Sequence, residues 1–114
     1  TVVFRLMPHS TRACDDVPEW LKSIIDCPER PDGKRVKDSP ENPLFIHLFL
    51  EAVKKIGERY DCNPVFDSID ISLPGAWGEG HKLASYADED IKLIFDTYLA
   101  SFKNTQIISQ YALT

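Results

Sequence analysis

Apolar residues recur along this chain with two different periods, and the switches between them outline its elements. Residues 1–7 are a short apolar run interrupted by Arg5, and Pro8 ends any ladder there. Residues 8–16 are loop by composition. Asp16, Pro18 and Glu19 then make a helix start: a capping carboxylate, a residue with φ preset for the first turn, and negative charge near the positive end of the helix dipole. A short helix through Trp20, Leu21, Ile24 and Ile25 is expected. From Asp26 to Pro43 the chain turns polar and holds Pro28, Pro31, Pro40 and Pro43, with the basic cluster Lys34-Arg-Val-Lys37 between them. A loop of this length reads first as a solvated excursion and second as a lid over a ligand.

The clearest helix follows. Asn42-Pro43 is a start signal, and Leu44, Phe45, Leu48, Phe49, Ala52, Val53, Ile56 and Tyr60 recur at spacings of three and four. Glu51 and Lys55 are expected to pair on its exposed face, and His47 is expected to pack at its boundary instead of ligating a metal. Asp61, Asn63 and Pro64 end it. Val65 to Leu73 then alternates sharply, with Val65, Ile69, Ile71 and Leu73 on one side and Ser68, Asp70 and Ser72 on the other. Asp67 breaks the apolar parity but lies near the strand start, within reach of water. After a glycine-rich loop, Asp88-Glu-Asp90 opens a helix whose buried stripe is expected to be Ile91, Ile94, Phe95, Tyr98, Leu99 and Phe102. A last strand is expected from about Thr105.

The order is strand, helix, helix, strand, helix, strand. Strands joined by helical crossovers imply a parallel sheet in an α/β protein, here a βαβαβ segment. A central strand of a doubly wound sheet is apolar on both faces. The Ser68-Asp70-Ser72 row is not, and a carboxylate facing inward must find a partner. Arg5 has the same character on the first strand, and the two can pair across the ladder if their strands are neighbours. Inward polar residues on adjacent parallel strands suit the interior of a (β/α)8 TIM barrel near its catalytic end, a fold of roughly 250 residues. The chain has 114 residues, lacks an initiator Met, and begins and ends in strand-like runs. It is therefore expected to be a single segment, residues 1–114, of a larger barrel domain.

Composition adds exclusions. Thirteen Lys and Arg against eighteen Asp and Glu give a net charge of −5, which argues against a nucleic-acid partner. No apolar run reaches the ~20 residues of a membrane span, and no signal segment is visible. Cys14, Cys27 and Cys62 are too few and too dispersed for a zinc knuckle or a disulfide scaffold, so no metal site and no cofactor are expected.

The strongest chemical signal is Gly75-Ala-Trp-Gly-Glu-Gly-His81, at the carboxyl end of the middle strand, where α/β sheets and barrels bind their ligands. Three glycines within six residues let the backbone turn and approach a ligand. A phosphate loop does not fit: the spacing is G-x-x-G-x-G, no Gly-Lys-Ser/Thr follows, and Glu79 would repel phosphate. A sugar site does fit, because a Trp77 face can stack on a pyranose and a Glu79 carboxyl can protonate a glycosidic oxygen. A purely structural turn, with Glu79 capping and Trp77 filling a hole, fits the spacing equally well.

Four stretches carry a resemblance: Phe4-Arg-Leu-Met-Pro8, Val17-Pro-Glu-Trp-Leu21, Ile56-Gly-Glu-Arg-Tyr-Asp61, and above all Asp70-Ile-Ser-Leu-Pro-Gly-Ala-Trp-Gly-Glu-Gly-His81. The chain resembles the barrel of family 42-type β-galactosidases and related bacterial glycoside-hydrolase-like proteins. The resemblance implies that the three strands are barrel strands three to five. It makes Glu79, at the end of the fourth, the general acid/base, and puts the nucleophile, a Glu of the seventh strand, outside this chain. Arg5, His9, Trp77 and His81 would line the pocket, with Asp70 holding Arg5. The substrate would be an oligosaccharide or glycoside, and the protein would be secreted, to the periplasm or beyond. One departure stands out: the clan's usual Asn before the acid/base is replaced by Gly78, so a contact to the sugar 2-hydroxyl is missing or supplied elsewhere. A non-catalytic carbohydrate-binding barrel is one alternative, and a free-standing flavodoxin-like binding domain is another. Arg12, Trp20 and Tyr86 fall near the expected active-site rim.

Overall fold

The outer strands are short runs rich in β-branched residues, the middle one alternates apolar with polar positions, and amphipathic runs of fourteen and eighteen residues make the helices. A computed structural model of the chain describes residues 1–7, 20, 43–73, 79–80 and 86–109. In it β1 spans Val2–Arg5, α1 Pro43–Tyr60, β2 Phe66–Asp70, α2 Asp88–Ser101 and β3 Gln106–Ile108. The strands form one sheet in the order β1-β2-β3, and both ladders are parallel. The expected βαβαβ segment is therefore present. The short helix expected at 20–25 lies outside the described residues except for Trp20, which is helical and exposed.

The register decides which face each residue takes. Val3 pairs with Ser68, Phe4 with Ile69 and Arg5 with Asp70, but Val2 pairs with Phe66, so Asp67 is an extra residue on β2. An extra residue reverses the alternation upstream of it. Phe66 consequently joins the side of Ile69, stacking on Tyr60 at 5.0 Å between ring centroids and meeting Phe4 at 5.9 Å. Asp67 is left exposed and accepts a hydrogen bond from the Ser68 hydroxyl. Val65, expected on the apolar side, precedes the strand and is exposed.

The core joins Ile69, Ile71 and Leu73 to Phe45, Ile46, Leu50 and Val53 of α1 and to Ile94 and Tyr98 of α2, with Phe102 beyond, while Phe4 and Ile107 pack at its margin. Both helices thus share one side of the sheet. The α1 stripe is rotated from its expected position: Ile46, Leu50, Val53 and Gly57, at i, i+4, i+7 and i+11, form its buried centre, and Ala52 and His47 are exposed. On α2, Leu99 is 58% exposed, against expectation, and Thr97 is buried in its place. At 100° per residue Leu99 lies about 140° round from Ile94, outside the stripe. Glu51 pairs with Lys54, not Lys55, at 3.0 Å.

Gly57 shows why the stripe turned. A Cβ there would stand 2.8 Å from the Ser101 Cβ and closer still to the Ser101 carbonyl oxygen. Only a glycine lets α1 and α2 approach this closely, so helix propensity is given up for contact. At the same end Asp61 ties the chain leaving α1 to the turn entering β3. Its carboxylate accepts hydrogen bonds from the backbone N–H groups of Lys103, Asn104 and Thr105 and from the Asn104 amide, while its carbonyl accepts one from the Thr105 hydroxyl. Burial pushes the Asp61 pKa up, but the N–H donors of Thr105 and Asn104 outweigh it and hold the carboxyl below its ordinary value.

Gly57→Ala is expected to lower the denaturant midpoint by an amount equivalent to about 1–2 kcal/mol, overpacking exceeding the gain in helix propensity. An unchanged or raised midpoint would show that the helices can part without cost. Because the folded pKa of Asp61 is depressed, its stabilisation is present above the unfolded value near ~3.9 and is lost as pH falls through the folded one. Asp61→Asn should therefore cost about 1 kcal/mol near neutral pH, screening by solvent keeping it small, and should flatten the acid limb of a stability–pH curve. An acid limb identical to that of the parent would exclude Asp61 as its source.

Candidate functional site

Ser68 and Asp70 lie on the side of β2 opposite Ile69, Ser72 continues their alternation just past the strand, and all three are buried. Alternation alone puts them there, and burial obliges each to bond. Ser68 bonds to Asp67 and Ser72 to the Leu6 carbonyl oxygen, while Asp70 bonds to Arg5. The Arg5–Asp70 pair anticipated across the ladder is formed: Arg5 Nε donates to Asp70 Oδ2 at 2.9 Å, and Nη2 donates to the same oxygen. The register, which sets Arg5 directly beside Asp70, makes this geometry possible. The Asp70 side chain is 9% exposed and that of Arg5 20%.

Glu79 completes the cluster. A parallel bridge pairs Leu73 with Glu79, which sets the Glu79 carboxylate near the end of β2. The next residue, Gly80, has φ = 77°, a left-handed conformation that glycine adopts without steric cost. Glu79 Oε1 stands 4.0 Å from Arg5 Nη1, and its side chain is 34% exposed. One guanidinium therefore lies between two carboxylates, one buried and hydrogen-bonded to it, the other at ion-pair distance and open to solvent. Asp70 Oδ1 is buried without a hydrogen-bond partner among the described residues.

Of the expected site residues, the structure brings together Arg5, Asp70 and Glu79. His9, Trp77 and His81 lie outside the described residues, as do Arg12, Cys14 and Cys27. Trp20 is exposed, Tyr86 is buried, and Cys62 is an exposed free thiol. Among the described residues no group of three or more His, Cys, Asp or Glu side chains is placed to hold a metal ion, and no described helix is long and apolar enough to cross a membrane.

The sequence pattern missed the support of this cluster. Tyr98 is fully buried on α2, and its hydroxyl oxygen accepts a hydrogen bond from the Ser72 backbone N–H at 3.4 Å. Burial pushes the Tyr98 pKa above its ordinary value, and the negative charge of Asp70 adds to the rise, while the hydrogen bonds from Ser72 pull against it. Nothing in the helical periodicity distinguishes Tyr98 from a packed aromatic. The one available signal was that a buried tyrosine needs a partner for its hydroxyl.

No family model, curated protein or solved structure matches the chain.

Removing one partner of a buried ion pair strands the other charge, at a cost of about 3–5 kcal/mol. Arg5→Met should therefore destabilise the protein by about 3 kcal/mol, and Arg5→Met combined with Asp70→Leu by less than Arg5→Met alone. A urea double-mutant cycle reads the coupling. Purely additive costs would mean that Arg5 and Asp70 do not act as a pair.

Proposed function

We propose that these residues form part of a carbohydrate-active (β/α)8 barrel, a glycoside hydrolase in which Glu79 is the general acid/base. The observation that carries the proposal is the charged cluster of Arg5, Asp70 and Glu79 at the carboxyl end of a sequentially ordered parallel sheet. Ligands bind at that end in both barrels and open α/β sheets. The distribution of polarity favours the barrel. A doubly wound sheet needs apolar residues on both sides of its central strand, whereas here both described helices share one side of β2 and the other holds Ser68, Asp70 and Ser72. An acceptor such as Asp70 Oδ1 calls for a donor, which in a barrel interior comes from facing strands or a bound hydroxyl.

In the proposed mechanism Glu79 protonates the departing glycosidic oxygen, then takes a proton from the water that completes the reaction. A second carboxylate, from a barrel strand beyond this segment, attacks the anomeric carbon from roughly 5 Å away, the separation of a retaining pair. Arg5 holds Glu79 in place and is itself fixed by Asp70. The resemblance would give Trp77 the stacking face for the sugar and His9 and His81 a place in the pocket lining. Gly78, standing where the clan has an Asn, favours a second reading in which the barrel binds a glycoside without cleaving it.

Glu79→Gln tests the assignment. On glycosides with poor leaving groups the rate should fall roughly 10²–10⁴-fold, because those groups depend on protonation. On dinitrophenyl glycosides, whose leaving group departs as a stable anion, glycosyl transfer to the nucleophile should be slowed far less. A variant with parent rates on every substrate cleaved would sink the role of Glu79. Saturable glycoside binding without turnover by the parent protein would favour the binding barrel instead.

A further inference from the structure

The ladder between β1 and β2 ends at the Arg5–Asp70 register, the point at which the charged cluster begins. Beyond it, one side chain holds the two strand exits together. Ser72 is 1% exposed, and its hydroxyl donates to the carbonyl oxygen of Leu6, the residue after Arg5. Its backbone N–H donates to Tyr98 of α2, and the next residue, Leu73, bridges to Glu79. Ser72 therefore contacts the segment that carries Arg5, follows the strand that carries Asp70, and adjoins the residue that fixes Glu79. A buried hydroxyl is costly unless bonded, and an apolar side chain of similar size would fill the same space without that demand. A hydrogen bond, unlike an apolar contact, fixes direction as well as distance.

We infer that Ser72 is a positioning residue for the Arg5–Asp70–Glu79 cluster, setting the separation of Arg5 and Glu79 by clamping the exit of β1, with Tyr98 holding the clamp from the helix layer. Its catalytic consequence rests on the glycosidase reading of Glu79; its geometric content does not. Ser72 acts through the backbone at Leu6, which it bonds, and at Leu73, which bridges to Glu79. Tyr98 makes the clamp part of the core, since the same ring that offers its oxygen to Ser72 also stacks with Phe102 at 6.3 Å.

Ser72→Ala, Ser72→Thr and Tyr98→Phe, made in the protein, separate this role from simple packing. The Arg5 Nε–H proton, held by Asp70, can be followed by nitrogen-15 NMR, with the methyl signals of Val53 and Ile94 reporting an intact core. Loss of the hydroxyl in Ser72→Ala should shift the Arg5 Nε–H resonance and speed its exchange with solvent about tenfold, the effect of one lost hydrogen bond. Ser72→Thr should restore both, and Tyr98→Phe should fall between. Where glycosides are hydrolysed, Ser72→Ala should lower kcat with little change in KM. Parent-like Arg5 Nε–H shift and exchange in Ser72→Ala, with the core signals intact, would overturn the inference. Failure of the parent to hydrolyse any glycoside would count against the glycosidase reading alone, because the NMR comparison still decides the clamp.

Discussion

A carboxylate buried on a central strand, on the side away from the apolar core, constrains its surroundings. A buried carboxylate is costly without a partner, and Arg5, on the strand in register with it, supplies one to Asp70. A slip of one residue between β1 and β2 would send Arg5 to the helix side and leave Asp70 alone. With β1 and β2 aligned, Phe4 and Ile69 fall together on the opposite side, where α1 and α2 cover them. The ion pair thus accords with the β1–β2 register and with the division of β2 into an apolar side and a polar side.

The two sides are stabilised by different physics. On the helix side, burial of apolar area dominates, and the close approach of α1 to α2 at Gly57 and Ser101 brings their apolar stripes onto the sheet. On the other side directional bonds join the β1 and β2 segments, Ser72 to Leu6 and Arg5 to Asp70, while Ser68 bonds to its own neighbour Asp67. Directional bonds suit a place where charged groups must keep fixed distances. Tyr98 links the two sides, packed by its ring and bonded through its oxygen.

The chemistry on offer at the strand ends follows from unequal burial. Asp70, almost covered, serves Arg5. Glu79, a third exposed and bridged to Leu73 beside Gly80, keeps its carboxyl group partly open to solvent. Two carboxylates around one guanidinium therefore differ in burial and in their distance from it.

Much of this was legible in the chain itself. Period-three-and-four stripes, the acids at Asp88–Asp90 and the Pro43 start identify the two described helices to within a residue or two, while the alternation around Asp70 finds β2 but carries it three residues past its observed end. The Arg5–Asp70 pair follows from the rule that a buried charge needs a partner. What sequence could not decide were the quantities set by three-dimensional contact. The extra residue at Asp67 reverses the side of Phe66, and only pairing with β1 reveals it. The rotation of the α1 stripe onto Ile46, Leu50 and Gly57, and the exposure of Leu99, depend on how closely two helices approach. Tyr98 reaches Ser72 across twenty-six residues. Local periodicity states which residues can share a side. Tertiary packing alone chooses which of them meet, because contact distances depend on neighbours that lie far away along the chain.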